Sequence, residues 1–140
     1  MKNLRSVLFA LTILFMATAA QAQQSAVKAN VPFDFIIGNR VYPAGEYVLK
    51  STFNDRALLR IDNTQQVLTG YIVSNACANS APAKETKLVF HRMGNHYFLY
   101  QVWTAGNSTG HEFPRGRAEI ELAQNHEQPE LVMVAAVISR

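Results

Sequence analysis

Strict alternation of apolar and polar positions begins at Val31. Val31, Phe33, Phe35 and Ile37 fall on one side of an extended chain, with Pro32, Asp34 and Ile36 on the other. A period of two is the mark of a half-buried strand. Pro32 near its start predicts an edge position, because proline cannot donate to a strand ladder. Gly38-Asn39 is a two-residue turn signal. The strand resumes over Arg40, Val41 and Tyr42, and Pro43-Ala44-Gly45 then kinks it. Extended chain continues over residues 47–51. Asn54-Asp55 predicts a turn, residues 58–61 a short strand, and Asp62-Asn63-Thr64 another turn. Val67, Thr69, Tyr71 and Val73 alternate in the strand after it.

Residues 75–86, NACANSAPAKET, break the pattern and predict the longest irregular segment of the domain. KLVFHRM and HYFLYQVW flank Gly94-Asn95, the clearest hairpin signal in the chain. Residues 105–110 read as a Gly/Ser/Asn-rich loop. Residues 114–124, PRGRAEIELAQ, carry both periods. Ala118, Ile120 and Leu122 alternate as in a strand, yet Ala, Glu, Leu and Gln favour helix and Pro114 suits a first helical turn. The reading leans to a short helix. Residues 131–139, LVMVAAVIS, are apolar on both faces and predict a buried final strand.

About seven strands joined by short turns, with one helix near the C-terminus, give an all-β class. Without strand-helix-strand alternation the sheet is expected to be antiparallel. A small antiparallel β-barrel and a β-sandwich both satisfy the pattern.

The N-terminal segment changes how the rest is read. Lys2 and Arg5 precede the apolar run VLFALTILFMATAA, which ends in Ala20-Gln21-Ala22. This is the layout of a secretory signal peptide over residues 1–22, with cleavage between Ala22 and Gln23. Removing 22 of the 140 residues would leave 118, with 23–30 as a flexible leader and 31–140 as one β-domain. The formal charge of +3 falls to +1 once Lys2 and Arg5 are gone. No block of like charge survives, so a nucleic-acid partner is not expected. No second apolar run is long enough to cross a membrane as a helix. The expected location is the periplasm or the cell exterior.

Candidate chemistry is sparse. Cys77 is the only cysteine, so an intramolecular disulfide is excluded. Asp34 and Glu46 stand among turns, with Asp34 opposite Pro43 if Gly38-Asn39 closes a hairpin, and read as solvated or turn-bonding carboxylates. His91 and His96 flank the Gly94-Asn95 turn. A two-residue turn pairs Met93 with His96 and His91 with Phe98, placing both histidines on one face about 7–8 Å apart. That spacing makes them a candidate metal pair, still short of the four ligands of a zinc site. Tyr97, Phe98, Tyr100 and Trp103 form the candidate ligand-binding group, Tyr97 and Trp103 on one side of the hairpin, Phe98 and Tyr100 on the other. No hydrolase elbow, phosphate loop, zinc-protease signature or dinucleotide fingerprint is present. The Asn107-Ser108-Thr109 sequon matters only in a host that glycosylates.

VPFDFIIGNRVYPAGEYVL, KLVFHRMGNHYFLYQVW and Gly110-His111-Glu112-Phe113-Pro114 together resemble a family of small exported bacterial proteins without assigned function. The resemblance spans nearly the whole chain after residue 22. It implies a helix rather than a strand at 114–124, and it brings no cofactor or catalytic residue. Tyr42 stands where the family often has leucine. The expectation is an exported, non-enzymatic β-domain. It would bind an envelope ligand or protein, or serve a structural role there, with no cofactor. A small metal-binding protein using His91 and His96 is the alternative, and a small hydrolase a more distant one.

Overall fold

The computed structural model describes residues 25–52, 57–125 and 128–139. The expected signal peptide, its cleavage point at Ala22 and Gln23, and the Asn54-Asp55 turn lie outside these residues. The described chain forms eleven strands and one helix. In order these are β1 (Ala26–Val31), β2 (Phe35–Ile37), β3 (Arg40–Tyr42), β4 (Gly45–Ser51), β5 (Leu58–Asn63) and β6 (Leu68–Val73). Then come β7 (Asn75–Ala78), β8 (Lys87–Met93), β9 (His96–Trp103), β10 (Thr109–Glu112), helix α1 (Arg117–Gln124) and β11 (Glu130–Ser139).

The main sheet runs β3-β2-β9-β8-β11-β1-β4-β5-β6 and curls into a half-barrel. All pairings are antiparallel except a single parallel contact between Ile36 and Phe98. At one end, β6 passes through Ser74 into β7, which pairs with β10, and β10 pairs with β9. At the other end the β2–β3 hairpin lies beside β9. The concave side is filled rather than hollow. Val31, Phe35, Tyr47, Leu88 and Phe90 are buried together with Leu99, Val102 and Phe113. The Phe35 ring stands edge-on to Tyr47 at 5.0 Å and to Phe90 at 5.5 Å, and Phe33 stacks on Tyr97 at 3.8 Å. The two most patterned phrases of the sequence thus meet ring to ring in one core. Each fully buried ring contributes about 1.5–3 kcal/mol of apolar transfer.

Several expectations need correction. Three of the strands beyond the expected seven come from segments that carry no period-two signal. Residues 26–30 are no leader but most of β1, a central strand between β11 and β4. The chain breaks at 32–34, so the alternating run from Val31 to Ile37 divides into the end of β1 and β2. Asn75–Ala78 and Thr109–Glu112, both expected to be loop, pair with each other. The final strand is not buried on both faces: Leu131, Met133 and Val137 are exposed while Val132, Val134 and Ala136 pack on the core. In β6 the apolar set of Tyr71 and Val73 points outward, and Gly70 and Ile72 point in.

Helix α1 does form. It lies outside the half-barrel, against the convex face of the β8–β9 hairpin, held by the buried Glu119. Its start is locked to the β2–β3 turn. Asn39 Oδ1 accepts the Arg117 backbone N–H at 3.2 Å, across 78 residues. Gly116 comes so close to Gly38 that any Cβ there would collide with the Gly38 carbonyl. Among the described residues no helix is long and apolar enough to cross a membrane.

Candidate functional site

The β8–β9 register is as the two-residue turn predicts, with Met93 opposite His96 and His91 opposite Phe98. Beyond Phe98 the ladder slips. Phe90 pairs with Leu99 but Val89 pairs with Gln101, leaving Tyr100 as a bulge. One extra residue reverses which side every later residue faces. Tyr97, Leu99 and Val102 therefore turn inward, whereas Phe98, Gln101 and Trp103 turn outward. The bulge divides the candidate ligand-binding group differently from the expectation, because Trp103 no longer shares a side with Tyr97. Phe98 and Trp103 are consumed by packing, at 2% and 5% exposure. Tyr97 is covered by Phe33, with the Arg92 guanidinium 5.8 Å from its centroid.

His91 and His96 do share a face, but their environments differ. His91 is buried, stacks on Tyr100 at 3.9 Å, and has Nδ1 2.7 Å from Glu119 Oε1. His96 is exposed and stacks on Phe98 at 6.3 Å. Among the described residues no group of three or more His, Cys, Asp or Glu side chains is arranged to hold a metal. The outer network continues through Gln101, which donates to Glu112 Oε2 at 2.9 Å and accepts the Trp103 indole N–H at 3.0 Å. Burial, and then the Glu112 charge, push up both the Tyr100 phenol and the Cys77 thiol.

Asp34 and Glu46 are structural. Asp34 Oδ1 accepts the Ala44 N–H at 2.8 Å and so fixes the Pro-Ala-Gly kink, while the Tyr47 hydroxyl donates to Pro43 O at 2.6 Å. Glu46 accepts the Thr64 hydroxyl at 2.6 Å and pairs with Lys28 at 3.1 Å, and these two contacts hold its carboxyl below the ordinary range.

The cavity that sequence reasoning missed opens at the β7–β10 end. It is a cup of about 700 Å³ lined by Ser51, Ala57, Ser74, Ala76 and residues 106–111. That volume is in the range of small-molecule sites, about 300–1,000 Å³. No Asp, Glu, Lys or Arg is among these lining residues. Ser74, 2% exposed, and His111 meet in its lining, with Oγ 3.0 Å from Nδ1 and 3.1 Å from Ala57 O. Burial holds the His111 imidazole below its ordinary 6.5. A neutral ring satisfies both contacts when Nδ1–H donates to Oγ and the hydroxyl donates to Ala57 O. In that arrangement the serine proton is directed at the carbonyl rather than at the imidazole. Nε2 is left as an acceptor on a side chain lining the cup. Nothing local in the sequence joins Ser74 to His111. They meet because β6 bends at Ser74 into β7, and β7 pairs with β10. No protein-family model, no curated protein and no solved structure matches this chain.

Proposed function

We propose that this protein is an exported, non-enzymatic binding domain of the bacterial envelope, and that its cup takes a small uncharged molecule rich in hydroxyl or amide groups. The cup carries this reading. Its lining offers hydroxyls from Ser51, Ser108 and Thr109, an amide from Asn107 and the His111 acceptor, with no ionised partner for a charged ligand among the described lining residues. Export rests on the signal-peptide pattern of residues 1–22 and on the resemblance to small exported proteins. The non-enzymatic reading is supported by the 3.1 Å contact that engages Ser74 Oγ with the Ala57 carbonyl.

The test is a thermal-shift and NMR titration with neutral monosaccharides, polyols and small amides, beside their charged analogues. Neutral members are expected to shift resonances of residues 106–111. Ala76→Phe, at an exposed lining position, should block the shifts without unfolding the domain. Equal binding by Ala76→Phe, or no neutral ligand at all, would sink the proposal.

A second reading, docking of an envelope protein, is favoured by the outward Leu131, Met133 and Val137 of β11. A photo-crosslinker at Leu131 should trap one partner species in cells, and Met133→Asp should abolish the product. Crosslinks unchanged by Met133→Asp would count against it.

A further inference from the structure

On the open side of the half-barrel, two strand edges face each other unpaired. Among the described residues β3 pairs only with β2, and β6 only with β5. The Tyr42 hydroxyl comes so near Gly70 of β6 that a Cβ there would stand 2.6 Å from it. The β2–β3 turn, residues 71–73 of β6 and the 113–117 segment enclose a three-sided pocket of about 420 Å³.

Its composition is unlike that of the cup. The walls are apolar and aromatic, from Ile37, Tyr42, Tyr71, Val73 and Phe113. Arg40, Arg115 and Arg117 also line it, and no acidic residue is among the described lining residues. The outward apolar face of β6, unexplained by the core, is explained as one wall of this pocket.

The three cations are only lightly engaged. Arg117 Nε pairs with Glu121 at 2.9 Å, but the two side chains are 86% and 59% exposed. Such pairs are easily displaced. Arg115 Nε is 3.6 Å from Glu119 Oε1, whose shorter contact is to His91. The Arg40 guanidinium lies 5.5 Å from the Tyr42 ring centroid and also interacts with the Tyr42 phenol, leaving its remaining N–H groups for an anion. An anion entering the pocket meets guanidinium groups, which suit carboxylate and phosphate oxygens. Its apolar body would cover Tyr71 and Val73.

We infer that this seam is a second binding site, independent of the cup, for an amphiphile with one anionic head and an apolar body of about ten carbons. The volume admits such a chain. The unpaired edges of β3 and β6 leave the wall open to it, and the guanidinium groups select the sign of the head.

Calorimetric titration of the purified protein with four probes tests this. Decanoate and decyl phosphate carry the head and the body, decanol lacks the charge, and acetate lacks the body. One-to-one binding is expected for decanoate, decyl phosphate or both, which also assigns the head as carboxylate or phosphate. Decanol and acetate should bind at least about tenfold more weakly. Raising NaCl from 20 to 300 mM should weaken the anionic probe, because these charges are exposed. Arg40→Gln and Arg117→Gln should each cost about two- to fivefold in affinity.

Val73→Glu places a carboxylate at an exposed wall position and should abolish binding, while Ala76→Phe in the cup should leave it unchanged. An NMR spectrum of each variant confirms that the fold persists. The inference is overturned if neither anionic probe binds one-to-one, if decanol binds as tightly, or if folded Val73→Glu binds like the parent.

Discussion

Gly116→Ala separates two accounts of the helix junction by the sign of its effect. Gly116 has φ −77° and ψ 169°, a conformation that alanine adopts freely. On backbone grounds alone the change should stabilise by about 0.4–1 kcal/mol, through the lost freedom of the unfolded chain. The tertiary structure predicts the opposite. A Cβ at 116 would fall on the Gly38 carbonyl, with the Gly38 Cα only 3.0 Å away. These are backbone atoms of a tight turn and cannot rotate aside. Overpacking of this kind costs about 1–3 kcal/mol. Moving the segment outward also breaks the Asn39–Arg117 hydrogen bond, a helix cap of about 1 kcal/mol. Set against the backbone gain, the net is roughly 1–3.5 kcal/mol of destabilisation. In urea the midpoint should drop by roughly 0.3–3.5 M, given slopes of about 1–3 kcal/mol per M. An eight-residue helix is marginal without its packing, so amide exchange in Arg117–Gln124 should accelerate more than in β1. A variant as stable as the parent, with unshifted Gly38 and Asn39 amides, would refute the close approach.

The other expectations concern single contacts. Asp34→Ala should cost about 1 kcal/mol by freeing the Ala44 N–H, and Asp34→Asn less, since an amide oxygen still accepts. Both are read from urea midpoints, and equal losses would argue that charge, not the turn bond, matters. His111 is held below 6.5 in the fold, so on acidification the unfolded chain takes up the proton first. Its contribution should fall as pH drops through 6.5 toward the lower folded value. His111→Gln should remove that part of the slope between pH 7.5 and 5, and an unchanged slope would contradict the buried neutral ring. Cys77, its thiol pushed up by burial and by Glu112, should react with an aromatic disulfide at pH 7.5 more slowly than a free thiol. It should react at the full rate in denaturant, and fast reaction of the native protein would count against this.

Much of the fold was legible because period-two patterning and turn residues are local. Val31 to Leu49 announced strands and turns that the structure contains, and Gly94-Asn95 announced the β8–β9 register down to His91 opposite Phe98. Asp34 faces the Pro43 turn as the hairpin count required, and its carboxylate is spent on the Ala44 amide. The helix at Arg117–Gln124 was legible as a lean, from composition and resemblance. Three things were decided only in three dimensions. The bulge at Tyr100 reassigns the aromatic faces, and no residue in HYFLYQVW marks where the slip occurs. Ala26–Val31 and Asn75–Ala78 are strands because partners far along the chain supply their hydrogen bonds, not because their own side chains alternate. The Ser74–His111 cup and the arginine-rimmed seam join residues dozens of positions apart, where sheet curvature and strand order, not spacing, determine what meets.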